Sequence, residues 1–326
     1  MTARRGIACA GNWIVDIVHS IDAWPRKSDL VHIRAETTGV GGGAANVALD
    51  LAAFATGLPI VPVGLVGSDL HGQTVLAALA GAGLPTGHMT VTDAALTAHT
   101  HVMTVPGDSR TFFYYPGTND LLAESHVPVE VLAAQGIRLF YLGYLNLMGE
   151  MDRVGADGTT PALHVLRRAR AAGMVTCVDL VSADTAQFRQ TVEAALPQID
   201  YLFLNEVEAQ RATGCPVTGP QDRDGMLAAA RQLRARGAGT VVIHTERTSL
   251  WLGDDGPLWA DSTRMDPAEI ISPVGAGDAF CAGCLYGIHE GWAEERCLHL
   301  AHRAAAAALR GATATDGIPP LAVLLG

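Results

Sequence analysis

The sequence predicts an α/β protein in which helices cover both faces of a mostly parallel central sheet, with a smaller β-sheet beside it. Two observations support this fold class. From residue 138 onward, short apolar runs alternate with stretches of helical spacing, an alternation typical of parallel strands joined by helices. Residues 16–38 and 98–116 interrupt that alternation with extended segments, which we expect to pair with each other.

The individual elements follow from hydrophobic periodicity and from the turn residues between them. Apolar, β-branched runs predict strands, and Ala- and Leu-rich stretches with 3.6-residue spacing predict helices. Residues 98–105 and 110–116 indicate a hairpin around residues 106–109 (PGDS). We expect strands at 6–12, 59–66, 138–142, 174–179, 200–204 and 240–244, a small β segment at 249–260, and helices at 44–56, 70–83, 160–172, 184–196, 205–213, 224–236, 278–290 and 293–310.

Composition and charge exclude several classes of protein. The 326 residues include 33 acidic and 22 basic side chains, for a formal net charge of −11, and no basic block that would neutralise nucleic-acid phosphates. Hydrophobic residues make up 49 %, too many for a disordered chain. No run of about 20 apolar residues predicts a membrane-spanning helix. We therefore expect one domain over residues 1–326 that binds neither nucleic acid nor membranes.

The N-terminus and the cysteines favour a cytoplasmic protein. Residues 6–15 form an apolar run that Asp16 ends early, so we interpret it as a buried first strand rather than a signal peptide. Six cysteines in 326 residues do not make a disulfide scaffold. Cys281 and Cys284 lack the further ligands of a zinc site, and we expect two small apolar residues one turn apart on a helix.

A first glycine cluster, residues 39–46 (GVGGGAAN), stands directly before a predicted helix. Consecutive glycines allow the backbone to approach a ligand closely. Asn46 would lie in the first helical turn, where its amide could bind a hydroxyl group. The alternative is a flexible strand-to-helix turn with Asn46 as a local cap.

A second cluster, residues 275–278 (GAGD), also precedes a helix. Backbone N–H groups at a helix start favour anions, and they would stabilise the charge of a transferring phosphoryl group. Asp278 then stands where it could accept a proton from an attacking hydroxyl. The alternative is an acidic residue that stabilises the helix start by about 0.5–1 kcal/mol. No Gly-Lys-Ser/Thr follows, so a P-loop is not predicted.

Four motifs, in this order along the chain, resemble those of the PfkB family of carbohydrate kinases, which have the ribokinase-like fold. Residues 41–48 (GGGAANVA) resemble the N-terminal signature of the family, and residues 66–72 (VGSDLHG) resemble its V-G-x-D-x-x-G segment. Residues 205–208 (NEVE) resemble its N-x-x-E motif, and residues 273–280 (PVGAGDAF) its C-terminal signature. The resemblance implies a three-layer fold with a β lid and an ATP-dependent kinase that phosphorylates a hydroxymethyl group of a sugar or nucleoside.

The C-terminal motif implies the catalytic residues. By resemblance, Asp278 is the base that deprotonates the acceptor hydroxyl, and a modest base suffices because the proton leaves late in a loose transition state. The backbone of Gly275, Ala276 and Gly277 would form the anion hole.

The N-x-x-E motif implies the site of Mg²⁺ and nucleotide. Asn205 and Glu208 would organise Mg²⁺, with Glu208 acting through water, since this ion keeps much of its hydration shell. They would equally serve as the cap and first-turn acid of helix 205–213. A gap-free match also places His244 beside the nucleotide.

The N-terminal half implies the acceptor site. Asp16 stands at the family position that binds substrate hydroxyls, and one carboxylate can accept two hydrogen bonds from neighbouring hydroxyls. Gly42, Gly43 and Asn46 would line the same pocket.

The lid would consist of about residues 16–38 and 96–118, and its closure would exclude water. Alternate members of the aromatic row 112–115 would face opposite sides of a strand, one pair toward the substrate. We expect His99 and His101, which share a face, to be pocket or surface residues. A homodimer through the lid is compatible with the resemblance.

The nucleotide side departs from the family pattern. The family usually has D-T where this chain has Ser272 and Pro273, and in relatives that aspartate helps to bind a monovalent cation, so the sequence does not predict activation by potassium. Family members tend to carry T-x-G where this chain has residues 244–246 (HTE). Glu246 near phosphates would repel them unless it points to solvent. Ribokinases proper carry Asn at the position of Ile14, which weakens a specific assignment to ribose.

Two alternatives to a sugar or nucleoside kinase stay open at this point. The altered loop around Glu246 would suit a catalytically weak protein that senses a sugar or a nucleotide. A vitamin kinase of the same superfamily, for a pyridoxal-like or thiazole alcohol, would generally lack the lid. Failure of the hairpin at 98–116 to pair with residues 30–37 would favour that vitamin kinase.

Overall fold

The computed structural model describes residues 4–105 and 110–326, and the predicted turn at 106–109 lies outside the described residues. The strands are β1 (Ile7–Gly11), β2 (Ile14–Ile21), β3 (Ile33–Gly41), β4 (Ile60–Gly67), β5 (Met89–Thr92), β6 (His99–Thr104), β7 (Thr111–Tyr115), β8 (Leu139–Leu145), β9 (Val175–Leu180), β10 (Tyr201–Asn205), β11 (Thr240–His244), β12 (Thr248–Gly253) and β13 (Gly256–Asp261). The helices are α1 (Gly43–Ala53), α2 (Leu70–Gly81), α3 (Val129–Ala134), α4 (Gly149–Asp152), α5 (Pro161–Ala171), α6 (Phe188–Ala195), α7 (Glu206–Thr213), α8 (Arg223–Ala235), α9 (Ala276–Glu290), α10 (Glu294–Ala308) and α11 (Leu321–Leu325).

The main sheet is mostly parallel, which confirms the predicted fold class. Across the described part of the chain it has nine strands in the order β13-β12-β11-β10-β9-β8-β1-β4-β5. The pairs from β11 to β5 are parallel, and only the β12–β13 hairpin at one edge adds antiparallel pairs.

Two apolar cores cover the two faces of the main sheet. On one face, α3, α5, α6 and α8 bury side chains that include Leu132, Leu166 and Leu233. On the other face, α1, α2, α9 and α10 do the same through residues such as Leu51 and Leu285. Burial on both faces explains why the parallel strands read as continuous apolar runs in the sequence.

The second sheet, which we call the small sheet, has the strand order β3-β2-β6-β7. It contains both segments that interrupt the α/β alternation, and β6 and β7 form the expected antiparallel pair. The hairpin also pairs with the segment 16–38, as expected, and it does so through β2 rather than through residues 30–37. β6 pairs in parallel with residues 15–20 of β2, and β3 lies on the far side of β2.

Some element bounds differ from the prediction because tertiary contacts override local pattern. Helix α6 begins at Phe188 rather than at 184, since the preceding segment is held by Arg211, which donates to the carbonyl oxygens of Ser182 and Ala183. Strand β5 was not predicted, because it is a short edge strand with only one buried residue, Met89. Cys281 and Cys284 are buried one turn apart in α9, as expected.

The junction between the two sheets is short and firmly held. Only Asn12 and Trp13 separate β1 in the main sheet from β2 in the small sheet. Trp13 is fully buried, its Nε1 donates to the carbonyl oxygen of Val63 at 2.9 Å, and its backbone N–H donates to Oδ1 of Asn119 at 3.2 Å. Within the described ranges, the structure contains no helix with the length and apolar character that crossing a membrane would require.

Candidate functional site

The candidate site lies at the carboxyl ends of β1 and β8, where the strand order of the main sheet reverses. Strands β4 and β5 follow on one side of β1, and β8, β9 and β10 lie on the other. Open α/β sheets bind ligands at such a reversal. Gly11 and Gly143 are register partners there, and a Cβ on Gly11 would lie 2.5 Å from the carbonyl oxygen of Gly143.

Asp16 reaches the site from β2 of the small sheet. Its carboxylate packs against Gly41, where a Cβ would collide with Oδ2 of Asp16. Thr100, its register partner on β6, donates a hydrogen bond to it. Burial raises the pKa of Asp16 to about 6, against the lowering effect of the Thr100 hydrogen bond.

Asp278 lies in the first turn of α9 and is almost completely buried. Its Oδ2 accepts two hydrogen bonds, from Nδ2 of Asn46 at 2.8 Å and from the hydroxyl of Tyr144 at 2.8 Å. Its Oδ1 has no hydrogen-bond partner among the residues described. Burial raises the pKa of Asp278 to about 6, the two donors lower it, and the negative charge of Asp16 raises it further.

The segment that leads into α1 contacts both of these carboxylates, through Gly41 beside Asp16 and Asn46 beside Asp278. Gly42 has φ of 96°, a left-handed value that favours glycine, and its Cβ would lie 2.6 Å from the carbonyl oxygen of Asn12. A Cβ on Gly43 would lie 2.6 Å from the ring of Tyr144. Oδ1 of Asn46 is buried without a hydrogen-bond partner in the described structure, so it stands ready to accept from a ligand.

The start of α9 is open to an anion. Gly275 has φ of 82°, and a Cβ there would collide with the carbonyl oxygen of Ala314. No side chain from the described residues caps this helix, unlike α7 or α2, whose first N–H groups bond to Asn205 and Asp69. The N–H groups at this helix start, which include those of Ala276 and Gly277, are therefore without a side-chain cap from the described residues, and the predicted anion site at residues 275–277 stays a prediction.

Asn205 and Glu208 form a reciprocal cap on α7, as the structural alternative for these residues expected. Oδ1 of Asn205 accepts from the N–H of Glu208 at 2.9 Å, and the Glu208 carboxylate accepts from the N–H and Nδ2 of Asn205. The hydroxyl of Ser182 donates to the same carboxylate at 2.8 Å. Burial raises the pKa of Glu208 to about 7.

These residues fit Mg²⁺ only as indirect ligands. Both oxygens of Glu208 already accept protein hydrogen bonds. Across residues 4–105 and 110–326, the structure holds no group of three or more His, Cys, Asp or Glu that could bind a metal ion by itself. An ion carried by phosphate oxygens and water, with Asn205 and Glu208 in contact through water, is the arrangement that fits.

A cleft of about 850 Å³ runs from the start of α9 along the edge of α10. Its apolar walls include Ile270, Ala305 and Leu309. His244 closes the end near α9, where its Cε1 would lie 3.2 Å from a Cβ on Gly277. Burial, followed by the influence of His302, lowers the pKa of His244 to about 4, so its imidazole is neutral at physiological pH.

Glu246 lines the same cleft and does not stand there as a lone charge. Nε of Arg247 donates to Oε1 of Glu246 at 3.2 Å, and both side chains are more than half exposed. The guanidinium and the surrounding water both screen this carboxylate from the cleft.

The two faces of the small sheet differ in chemistry. Register and strand alternation place Thr100, Phe112 and Tyr114 on the Asp16 face. The opposite face carries a histidine cluster, in which Nε2 of His19 and Nδ1 of His101 are 2.9 Å apart. The ring of His99 meets that of His101 edge to face in the same cluster, and the centroid of the His71 ring from α2 lies 5.0 Å from that of His99.

Sequence reasoning missed several residues that the structure brings to the site. Tyr144 contacts Asp278 directly, and its only sequence signal is its place after Gly143 at the carboxyl end of a predicted strand. Asp50 and Asp179 are fully buried near Asp278, and burial raises the pKa of both well above the usual range, with Asp278 adding to the effect. Asp50 lies in an Ala-rich helix that nothing in the sequence connected with the site.

The chain is similar to known proteins over most of its length. The model of the pfkB family carbohydrate kinases matches residues 5–320. Among curated proteins, a ribokinase of Arabidopsis thaliana is 23 % identical over 320 residues, which cover 96 % of this chain and 78 % of that protein. A fructoselysine 6-kinase of Shigella flexneri is 27 % identical over 249 residues, covering 76 % of this chain and 80 % of its own.

Solved structures show the same fold. The structure of Arabidopsis thaliana ribokinase complexed with ribose and ATP superposes with a TM-score of 0.80 at 20 % identity, covering 99 % of this chain and 98 % of that one. A putative ribokinase II from E. coli, in complex with ATP and Mg²⁺, gives a TM-score of 0.78 at 17 % identity and covers 98 % of both chains. The ribokinase-like fold is therefore confirmed.

Proposed function

The chain belongs to the pfkB family of carbohydrate kinases, and we propose that it transfers the γ-phosphoryl group of ATP to a hydroxymethyl group of a sugar, a sugar-like compound or a nucleoside. The arrangement of Asp278 carries this proposal. One of its carboxylate oxygens accepts from two donors, and the other has no hydrogen-bond partner among the described residues. The carboxylate also stands at the start of α9, which no side chain of those residues caps.

The acceptor would bind between Asp16 and α1. The Asp16 carboxylate can accept from two neighbouring hydroxyls, and the unpartnered Oδ1 of Asn46 can accept from a third. Glycine at positions 42 and 43 lets the start of α1 pack directly against Asn12 and the ring of Tyr144, beside this proposed acceptor position. This set of acceptors is suited to a polyol and carries no positive charge for an acceptor that is already phosphorylated.

The chemical step follows from the bare oxygen of Asp278. As the acceptor oxygen attacks the γ-phosphorus, its proton passes to Oδ1 of Asp278, and the bond from the γ-phosphorus to the bridging oxygen of ADP breaks. The N–H groups of Gly275, Ala276 and Gly277 would stabilise the charge on the transferring oxygens. Mg²⁺, when bound with ATP, neutralises phosphate charge, and Asn205 and Glu208 would hold its water.

The nucleotide would occupy the cleft beside α10. Apolar walls at Ile270, Ala305 and Leu309 suit the face of a nucleobase, and the neutral His244 adds no charge. The small sheet would act as a lid over the acceptor and limit hydrolysis of ATP. Its exposed Phe112 and Phe113 leave apolar surface for the substrate or for a second copy of the chain.

The two alternatives have less support than a kinase. The sensing protein was motivated by Glu246, which is paired with Arg247 and mostly exposed. The vitamin kinase is favoured if the hairpin at 98–116 does not pair with residues 30–37. The hairpin pairs with β2 instead, and β3 belongs to the same small sheet, which supports our assignment of that sheet as the lid that such enzymes generally lack.

A two-stage experiment tests the proposal. A thermal-shift screen of sugars, sugar phosphates, nucleosides and vitamin alcohols would find the acceptor, because a ligand at 100 times its Kd adds about 2.7 kcal/mol of stability. Release of ADP from ATP and Mg²⁺ is then measured with each hit. We expect turnover with an unphosphorylated sugar or nucleoside. Tight ATP binding without turnover on any alcohol would contradict the proposal.

A further inference from the structure

We propose that Tyr144 is a positioning residue for the catalytic base, whose hydroxyl acts with the amide of Asn46 to hold Oδ2 of Asp278 so that Oδ1 faces the acceptor hydroxyl. This inference rests on the proposed function and adds to it a residue that belongs to none of the four sequence motifs.

The contact is direct and specific to one oxygen. The hydroxyl of Tyr144 donates to Oδ2 of Asp278 at 2.8 Å, and Nδ2 of Asn46 donates to the same oxygen at 2.8 Å. Oδ1 has no partner in the described part of the chain. Two donors on one oxygen fix the carboxylate plane and leave the other oxygen as the proton acceptor.

The backbone is bent to deliver this side chain. Tyr144 has φ of 56° and Asn146 has φ of 81°, both in the left-handed region that residues other than glycine seldom adopt. The register between β8 and β9 shifts between Leu142 and Leu145, which marks an irregularity in the strand at this point. Irregularities of this kind re-aim side chains and are frequent next to active sites.

The ring of Tyr144 packs on Gly43, and a larger residue at position 43 would occupy the space of the ring. A Cβ on Gly43 would lie 2.6 Å from Cδ1 of Tyr144, so only glycine at the start of α1 leaves room for the ring. Gly143 packs equally closely, since its Cβ would lie 2.5 Å from the N–H nitrogen of Ala44. The irregular strand end and the start of α1 thus fit each other, and the phenol reaches Asp278 between them.

The phenol would also keep the base ionised. Burial raises the pKa of Tyr144 well above its usual value, so the hydroxyl remains a donor at every working pH. Its hydrogen bond and that of Asn46 both lower the pKa of Asp278 against the effect of burial. The titratable groups that face Asp278 from the packed elements are Asp16 on β2, Asp50 on α1, Tyr141 on β8, Asp179 on β9 and Glu208 on α7.

Tyr144→Phe tests the proposal, because it keeps the ring on Gly43 and removes only the hydroxyl. The logarithm of kcat/KM for the acceptor is measured from pH 5 to pH 9. We expect the acid limb to move up by about one pH unit, since the carboxylate loses one of two donors. Activity then falls several-fold at pH 6 and much less at pH 8. A monofluorinated tyrosine at position 144, a stronger donor, should move the limb down.

Tyr201→Phe is the matched control. It removes a hydroxyl from β10, where the ring packs on Trp251, and its acid limb should coincide with that of the unaltered enzyme. Difference infrared spectroscopy titrates the Asp278 carboxyl directly and does not depend on turnover. The C=O band of Asp278 is assigned as the band that is lost in Asp278→Asn. The C=O band of Asp278 should titrate at higher pH in Tyr144→Phe.

Two results would overturn the role of Tyr144. One is an acid limb and an infrared titration that do not move in Tyr144→Phe. The other is a loss of activity that is equal at every pH, which indicates only a structural role. Failure of the proposed function is distinguishable from both, because there the unaltered enzyme would not release ADP with any alcohol or Asp278→Asn would turn over normally.

Discussion

The acceptor half and the nucleotide half of the site are built in different ways. In the proposed acceptor half, two carboxylates accept hydrogen bonds from side chains, since Thr100 donates to Asp16 and both Asn46 and Tyr144 donate to Asp278. In the nucleotide half, the cleft offers backbone N–H groups, apolar walls and a neutral histidine. Substitutions in the acceptor half should therefore have large and specific effects on activity, and substitutions in the nucleotide half should have small ones.

The halves also differ in charge. Asp16, Asp50 and Asp179 each lie close enough to Asp278 for their charges to interact with it, and burial raises the pKa of all four carboxyls. In the nucleotide cleft, burial instead lowers the pKa of His244 and His302 to about 4, which removes positive charge. In the proposed reaction, the proton acceptor therefore lies on one side of the site, and phosphate binding on the other side would depend on backbone dipoles.

Replacing the base should have the largest effect. We expect Asp278→Asn to lower kcat by about 100- to 10,000-fold, because general base catalysis by a positioned side chain contributes that much. ADP release with the best acceptor is the measurement. The control is Asp254→Asn, on the exposed turn between β12 and β13, which should keep full activity. Normal turnover by Asp278→Asn would contradict the role of Asp278 as the base, and with it the contrast between the two halves.

The acceptor half should also dominate the pH dependence. The pKa values of Asp16 and Asp278 are both about 6, and the active form needs both ionised. Protonation below pH 6 therefore removes activity, and kcat/KM should fall at least about tenfold from pH 7 to pH 5. His244, with a pKa of about 4, adds no titration in this window. A profile that is flat down to pH 5 would contradict this assignment.

Asp16→Asn should separate the halves in a single enzyme. An amide oxygen accepts hydroxyl hydrogen bonds less strongly than a carboxylate, at a cost of about 1.5–2 kcal/mol, so KM for the acceptor should rise about 10- to 30-fold. KM for ATP should not change. Steady-state kinetics with each substrate varied in turn measure both values. An equal rise in both would mean that Asp16 supports the whole site rather than the acceptor.

The sequence alone indicates those candidate site residues that stand in a recognisable local pattern. Asp278 follows a glycine run at a helix start, and Asn46 does the same at α1, so both could be identified from spacing. Tyr144 could not, because its role depends on an irregular strand and a left-handed backbone that the apolar pattern of β8 conceals. The later start of α6 at Phe188 was hidden for a related reason, since contacts with distant Arg211 hold the preceding segment.

The smallest effect is expected in the nucleotide half. Glu246→Gln should change KM for ATP by less than about twofold, because an exposed, paired carboxylate contributes little through water. The measurement is the KM for ATP at saturating acceptor. Arg247→Gln is the companion variant, which leaves Glu246 unpaired and should raise KM more. A large gain in ATP affinity in Glu246→Gln would show that this carboxylate opposes nucleotide binding.

Trp13 has a mechanical consequence for the small sheet. Its indole and its backbone N–H both donate hydrogen bonds to residues outside the small sheet, which fixes Trp13 in place. Along this connection, the proposed closure of the lid would therefore begin at Ile14. The fluorescence of the same indole reports whether Trp13 stays buried. In a variant that retains Trp13 as its single tryptophan, the emission maximum should stay at short wavelength during turnover. That result would mean that Trp13 stays buried and fixed while the lid closes.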